Sequence, residues 1–313
     1  MSLRSIEICA GAGGQALGLE QAGFEHVALV EIEPPACATL RLNRPTWNVI
    51  EGDVHKFSAS PYKGRIDLLA GGVPCPPFSV AGKQLGADDE RDLFPEALRL
   101  VAECNPRAVM IENVRGIFYP KFAAYRESIL DRLHAMGYET WWRIVQASDY
   151  GVSQLRPRAI LVGIKQPWAQ SFTWPEPHPG DAPTVGELLH DAMAANGWEG
   201  ADAWAEHADG VAPTLVGGSK KHGGADLGPT RARNAWAQLG VDGRGIVEEA
   251  PAPGFEGSPR LTVGMAALVQ GFPADWKFSG RKTAAYRQVG NAFPPPVARA
   301  VGKAIREALD AGQ

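Results

Sequence analysis

Short aliphatic runs recur up to Lys165 with helical patterns between them. They are Ile6-Glu7-Ile8-Cys9, Val27-Ala28-Leu29-Val30, Ile66-Asp67-Leu68-Leu69 and Val109-Met110-Ile111, and Leu93–Glu103 is the clearest of the intervening helices. Few architectures accept this order. Strand, helix and strand in succession give neighbouring parallel strands with helices on both faces, so an α/β fold with a mostly parallel sheet is expected. Ligands of such sheets sit at the carboxyl ends of the strands, which makes the residues just after each apolar run the ones to inspect.

Beyond Lys165 the texture changes. Pro167, Pro175, Pro177, Pro179 and Pro183 crowd together, and a Gly-, Ala- and Trp-rich stretch without clean periodicity follows as far as Pro259. We expect a domain boundary there and a second, smaller and irregular domain. A last helix is read over Arg299–Leu309, introduced by Gly290-Asn291-Ala292-Phe293-Pro294-Pro295-Pro296.

The 313 residues are 45% hydrophobic and 21% charged, which excludes a disordered chain, and no run reaches the ~18 apolar residues of a membrane span. Met1–Ser5 carries no secretory pattern, so a cytoplasmic protein is expected, associated with the nucleoid when on DNA. Cys9, Cys37, Cys75 and Cys104 lack C-x-x-C spacing, which argues against a zinc site or a disulfide framework. The net charge of -4 does not advertise a nucleic-acid binder. Its distribution does more: Lys220, Lys221, Arg231 and Arg233 face only Asp226 over residues 214–233, and Arg260, Lys277, Arg281, Lys282 and Arg287 face only Asp275 over 260–287.

Gly11-Ala12-Gly13-Gly14 follows the first strand and opens a helix, so a ligand can approach the main chain at a helix N-terminus. Glu31, at the end of the second strand and 20 residues past Gly11, is placed to bind ribose hydroxyls. Asp53, after Val49-Ile50, is a candidate partner for an adenine amino group. The loop is not G-x-G-x-x-G, so a dinucleotide is disfavoured.

Cys75 stands on the Pro-bounded loop Gly72-Val73-Pro74-Cys75-Pro76-Pro77-Phe78-Ser79, after the fourth strand. A thiol needs a partly exposed, electropositive setting to act as a nucleophile, and of the four cysteines this one is placed for it. Glu112-Asn113-Val114 follows the strand Val109-Met110-Ile111 and supplies a candidate acid. Gln154-Leu155-Arg156-Pro157-Arg158 puts two guanidiniums on one side of an extended segment.

Taken in order, Gly11-x-Gly13-Gly14, Pro74-Cys75 with Ser79, Glu112-Asn113-Val114, Gln154-x-Arg156-x-Arg158 and Gly290-Asn291 resemble the cytosine-C5 DNA methyltransferases of bacterial restriction-modification systems. The resemblance spans the chain except about residues 170–258. It implies a Rossmann-like, S-adenosylmethionine-dependent catalytic domain that is discontinuous, residues 1–172 and 277–313, with a target-recognition domain and hinge over 173–276. Catalytic roles fall by resemblance to Cys75 as nucleophile, Glu112 at N3 of the base, and Arg156 and Arg158. The methyl donor is expected against Cys9, Ala10, Gly11, Ala12, Gly13 and Gly14. Glu31, Ile32, Asp53 and Val54 are expected to hold its nucleoside, and Gly72, Pro74, Leu93, Asn291 and Ala292 to close the pocket.

Here Glu7 stands where the family usually has Asp, Cys9 where Phe is common, Ile32 where Trp is frequent, and Pro76 for Gln. Attack on the cytosine ring requires the base to leave the helix, so base flipping is implied. Thr214-Leu215 matches the pair that anchors the family's base-reading loops. Lys220, Lys221 and His222 in a flexible glycine setting, with Arg231 and Arg233, are expected DNA contacts, as are Ser79, Lys83 and Gln84 on a loop closing over the base. The implied partner is double-stranded DNA with a short specific site, bound by a monomer, with a cognate restriction endonuclease as a genetic partner only. Two alternatives stay open. A tRNA cytosine methyltransferase of the same family would share the catalytic residues, although its Cys-Phe-Thr tripeptide is absent, and a catalytically silent DNA-binding regulator would have no need of Cys75 and Glu112.

Overall fold

The computed structural model describes residues 2–74, 92–218 and 225–312. The first half is built from β1 (Leu3–Ile8), α1 (Gly14–Gln21), β2 (Phe24–Glu31), α2 (Pro34–Asn43), β3 (Val49–Glu51), β4 (Leu68–Gly72), α3 (Phe94–Cys104), β5 (Ala108–Val114), α4 (Ala123–Ala135), β6 (Tyr138–Gln146), β7 (Gln154–Leu155) and β8 (Pro157–Lys165). The second half follows with α5 (Val185–Ala194), α6 (Ala201–His207), β9 (Ala212–Pro213), α7 (Thr230–Gln238), α8 (Val263–Val269), α9 (Lys282–Asn291) and α10 (Pro295–Ala311).

Among the described residues, seven strands form one sheet in the order β3-β2-β1-β4-β5-β8-β6. The pairs from β3 through β5 are parallel, as the alternating pattern predicts. β8 runs antiparallel to both β5 and β6. The chain proceeds from β1 outward to β2 and β3, then returns to the other side of β1 for β4. Such a reversal leaves a crevice at the carboxyl ends of β1 and β4, where no crossover covers the sheet.

One sheet face packs on α3 and α4 through Phe94, Leu98, Val101, Ile129 and Leu133. The other packs on α1 and α10 through Leu19, Val297, Val301 and Ile305. Pro294, Pro295 and Pro296 start α10 rather than precede it: proline at the first helical positions lacks an N–H that would be unpaired anyway, so the helix begins at Pro295 instead of Arg299. Gly18 lets α1 approach closely, because a methyl group there would lie 2.5 Å from the Ala298 Cβ; Gly302 does the same from α10, 2.9 Å from Leu19. The last helix is thereby bolted to the first.

The stretch without clean periodicity is nevertheless folded. Val185, Leu189, Trp204, Trp236, Leu261 and Met265 bury a common core that extends to Leu17, Tyr286 and Val289. Its helices run only 7 to 10 residues, too short to print a legible stripe, and α5 is started by a capping box between Thr184 and Glu187. No helix among the described residues is long and apolar enough to cross a membrane.

Candidate active site

β1 ends in a turn that only small or left-handed residues can make: Cys9 has φ 52°, Gly11 φ 53° and Gly13 φ 89°. Gly13 caps α1 and Gly14 lies against the Phe293 carbonyl, where any side chain would collide with main chain. At the end of β2 the nearly buried Glu31 carboxylate accepts from the Gly11 amide (2.7 Å) and the Glu33 amide (2.8 Å). Burial raises the Glu31 pKa, and the amides of Glu33, Gly11 and Ile32 oppose that rise. Over this turn opens a cavity of about 360 Å³, within the range of small-molecule sites.

Ten residues singled out from the sequence line this cavity: Cys9, Ala10, Gly11, Ala12, Gly14, Glu31, Gly72, Glu112, Asn291 and Ala292. Ile32, between two lining residues, is 59% exposed, large for an isoleucine. Cys9 is a wall and not a reagent, since burial first, then Glu31, Glu7 and Asp53, push its thiol up to about 12. Other expectations are not brought to the cavity wall. Asp53 bonds the amide (3.0 Å) and ring (2.8 Å) of His55, which hold its carboxyl below the usual range. Val54 is core, Gly13 packs toward Leu40 and Trp276, Leu93 caps α3, and Pro74 is exposed beyond β4.

Glu112 sits near the carboxyl end of β5, its side chain only 13% exposed, and Arg158 Nε on β8 lies 2.9 Å from its Oε1. Burial raises the Glu112 pKa while Arg158 and Arg156 pull it down. Gly72 borders the same carboxylate, with 3.3 Å between Oε2 and the place a Cβ would take. Asn113 Nδ2 donates to the Val73 carbonyl (3.0 Å), tying down the chain two residues before Cys75. Cys75 itself, with Ser79, Lys83, Gln84, Lys220, Lys221 and His222, lies outside the described residues.

The two arginines of Gln154-Leu155-Arg156-Pro157-Arg158 part company. Arg156, given a catalytic role with Arg158 by resemblance, is fully buried, and its guanidinium donates to the carbonyls of Leu215 (2.8 Å), Gly290 (2.8 Å) and Ala292 (3.0 Å). A switch of sheet at Arg156 allows this: β7 pairs with β9 in a separate two-stranded sheet, and only β8 runs alongside β5. Gln154 accepts from the Leu215 amide (2.9 Å) and donates to Gln270 (2.6 Å), which in turn donates to the Ala292 carbonyl. Thr214 donates to the Leu155 carbonyl at 2.5 Å.

The C-5 cytosine-specific DNA methylase model matches residues 3–307. The chain belongs to that family. The Type II methyltransferase M.NaeI of Lentzea aerocolonigenes is 60% identical over 314 residues, 99% of this chain and 76% of the relative. M.NgoMIV of Neisseria gonorrhoeae is 58% identical over 312 residues, 99% of both chains. Among solved structures, a DNA modification methyltransferase encoded within an Escherichia coli prophage superposes with a TM-score of 0.70 at 26% identity, covering 99% of this chain and 100% of that one. A DNMT2 variant of Spodoptera frugiperda gives 0.66 at 15% identity, covering 98% and 100%, and shows the shared fold.

As a C5 cytosine methylase, the protein transfers methyl groups to cytosine C5 in DNA. The two relatives align through residues 173–276 as well, where Thr214-Leu215 was the one feature matched to the family from sequence. In this cytosine methylase, Arg231 is exposed on α7 while Arg233 bonds its own helix at Thr230 (3.3 Å). Gly217, expected to be flexible, is pinned: a side chain there would meet the Arg287 carbonyl and the Asn291 Oδ1, each at 2.6 Å. Sequence reading missed Glu7, Gln15, Arg287, Gln288 and Phe293 on the cavity wall, and the roles of Asn113 and Gln270. For Glu7 the signal was present, a carboxylate inside an apolar run.

Proposed function

We propose that the protein is the methyltransferase of a Type II restriction-modification system, using S-adenosylmethionine as donor. It acts through Cys75 on a flipped cytosine within a short specific site. The observation that carries the reading is that Glu112, on the wall of the cavity over the Gly11–Gly14 turn, is ion-paired with Arg158. The cavity suits the donor because its lining residues carry buried polar atoms without partners among the described residues, the Glu7 Oε2 and both amide atoms of Gln15, which an apolar ligand would leave unpaired. When bound, the donor supplies an electrophilic methyl group on a sulfonium sulfur.

The chain's own residues prepare the acceptor. Cytosine C5 is a poor nucleophile until the Cys75 thiolate adds to C6 and the ring electrons move toward C5. Glu112 receives N3, by hydrogen bond or proton, and so absorbs the charge that addition creates. Arg158 fixes the Glu112 carboxyl and keeps positive charge beside it. After methylation C5 carries a proton and a methyl group; the proton passes to water, the S–C6 bond breaks, and the thiolate leaves with its electron pair. Arg156 supports this from outside the reacting atoms, by fixing Leu215, Gly290 and Ala292. The division into a discontinuous catalytic domain (1–172 and 277–313) and a recognition domain (173–276), acting as a monomer, belongs to the same proposal.

Duplex DNA carrying 5-fluorocytosine in its site tests the reading, because fluorine cannot leave as a proton and the adduct accumulates. With S-adenosylmethionine present, a covalent protein–DNA complex is expected, absent in Cys75→Ser. Bisulfite sequencing of DNA from expressing cells should reveal one short methylated motif. No trapped complex on duplex DNA carrying 5-fluorocytosine in that motif, or transfer to tRNA alone, would overturn it.

A further inference from the structure

Gln15 is a fully enclosed primary amide, 3% exposed, on the first turn of α1, and it lines the cavity. Neither its Nε2 nor its Oε1 has a hydrogen-bond partner among the described residues. A buried amide can make up to four hydrogen bonds, and leaving all of them unmade is costly enough that folded proteins rarely do so without a ligand or water to complete the site. The neighbours offer no substitute, since Gly14 and Gly18 on the same helix have no side chains and Phe293 closes the wall with a ring and a carbonyl already against Gly14.

Strand order says which part of a ligand reaches Gln15. Along the sheet edge, Glu31 ends β2, Gln15 follows β1, Gly72 ends β4 and Glu112 lies near the end of β5. A nucleoside held by its ribose at Glu31 therefore extends its 5′ substituent past the start of α1 before reaching the acid. There the helix N-terminus favours an anion, and the amide adds both a donor and an acceptor.

We propose that Gln15 binds the amino-acid end of the methyl donor, its Nε2 donating to the α-carboxylate and its Oε1 accepting from the α-ammonium, and so selects S-adenosyl amino acids over bare nucleosides. The inference rests on the donor assignment above and concerns one side chain within it.

Two ligands separate the roles: S-adenosylhomocysteine, which carries the amino-acid end, and 5′-methylthioadenosine, which lacks it. Calorimetric titration of the full chain without DNA reads both. In Gln15→Met, which keeps length and helix propensity, affinity for S-adenosylhomocysteine falls about ten- to hundredfold while that for 5′-methylthioadenosine changes less than about twofold. Gln15→Glu, acceptable in a first helical turn, loses more on the first ligand and nothing on the second. The melting temperature without ligand is unchanged or higher in Gln15→Met, because an unpaired amide is gone. Equal weakening of both ligands, or no weakening of either, overturns the role of Gln15 and leaves the donor assignment standing. Failure of the unsubstituted protein to bind either ligand overturns both.

Discussion

Arg158 Nε stands 2.9 Å from Glu112 Oε1 across the antiparallel β5–β8 pair, where Arg158 faces Val114 and Glu112 faces Ile160. The two charged residues are thus diagonal neighbours in the ladder, close enough for long side chains to meet over the end of the sheet. The sheet, and not a loop, fixes their separation.

Removing the arginine should therefore cost chemistry more than binding. In Arg158→Ala, kcat falls by about 10²–10⁴-fold, the range for a positioned acid–base group, and Arg158→Lys recovers part of it. Glu112 already has a raised pKa from burial, with Arg158 the larger of two charges lowering it. Loss of that charge raises it further, so the alkaline limb of kcat/KM against pH moves upward in Arg158→Ala. An unmoved limb would show that the pair does not set the proton affinity of Glu112.

Arg156→Ala leaves the carbonyls of Leu215 and Gly290 without their side-chain donor in a closed interior, while the Ala292 carbonyl keeps its bond from Gln270. At about 1–3 kcal/mol for each of the two buried unsatisfied groups, the loss should be at least about 2 kcal/mol in urea unfolding. Arg156→Lys should restore little, because an ammonium cannot span the fork that a guanidinium does. A loss below about 1 kcal/mol would remove Arg156 from this structural role.

His26 is buried between Ser5 Oγ, 2.9 Å from Nδ1, and the Ala16 carbonyl, 2.8 Å from Nε2. A carbonyl only accepts, so Nε2 carries the proton and Nδ1 accepts from the Ser5 hydroxyl. Burial lowers the pKa, outweighing the Ala16 bond and Glu20. The unfolded chain, titrating at about 6.5, then binds the extra proton first, so this contribution is complete above about pH 6.5 and is lost as pH falls. Urea midpoints between pH 7.5 and 5.5 should show the decline, and His26→Gln should flatten it.

Arg231 is exposed on α7 and is expected to meet phosphate. Arg231→Ala should weaken binding about equally for matched and mismatched duplexes and reduce the slope of log K against log salt by about 1. A selective loss on the matched site would assign it to base reading instead.

Most of the parallel sheet was legible because strands buried on both faces print as unbroken apolar runs, and Glu31 at the end of β2 could be placed by counting. β6 was not, since Tyr138–Gln146 interleaves Trp141 and Trp142 with Glu139 and Arg143 and is only partly buried. The cavity's main-chain wall followed from its glycines. Gln15 was invisible, because a glutamine in a first helical turn is usually a solvated residue, and only enclosure makes its lone amide informative. Arg156 looked equivalent to Arg158 for a similar reason: period-two spacing puts two residues on one face but says nothing of β7 leaving the sheet between them.

A side chain on Gly290 would collide with the Gly217 main chain, and one on Gly217 would collide with the Arg287 carbonyl and the Asn291 side chain of the same helix. The segment 173–276 proposed as the recognition domain is therefore not a free cassette. Chimeras spliced after residue 218 inherit a matched crossing, whereas those spliced before it import a foreign partner for Gly290, and any donor sequence without glycine at that point will wedge the module away from the catalytic half.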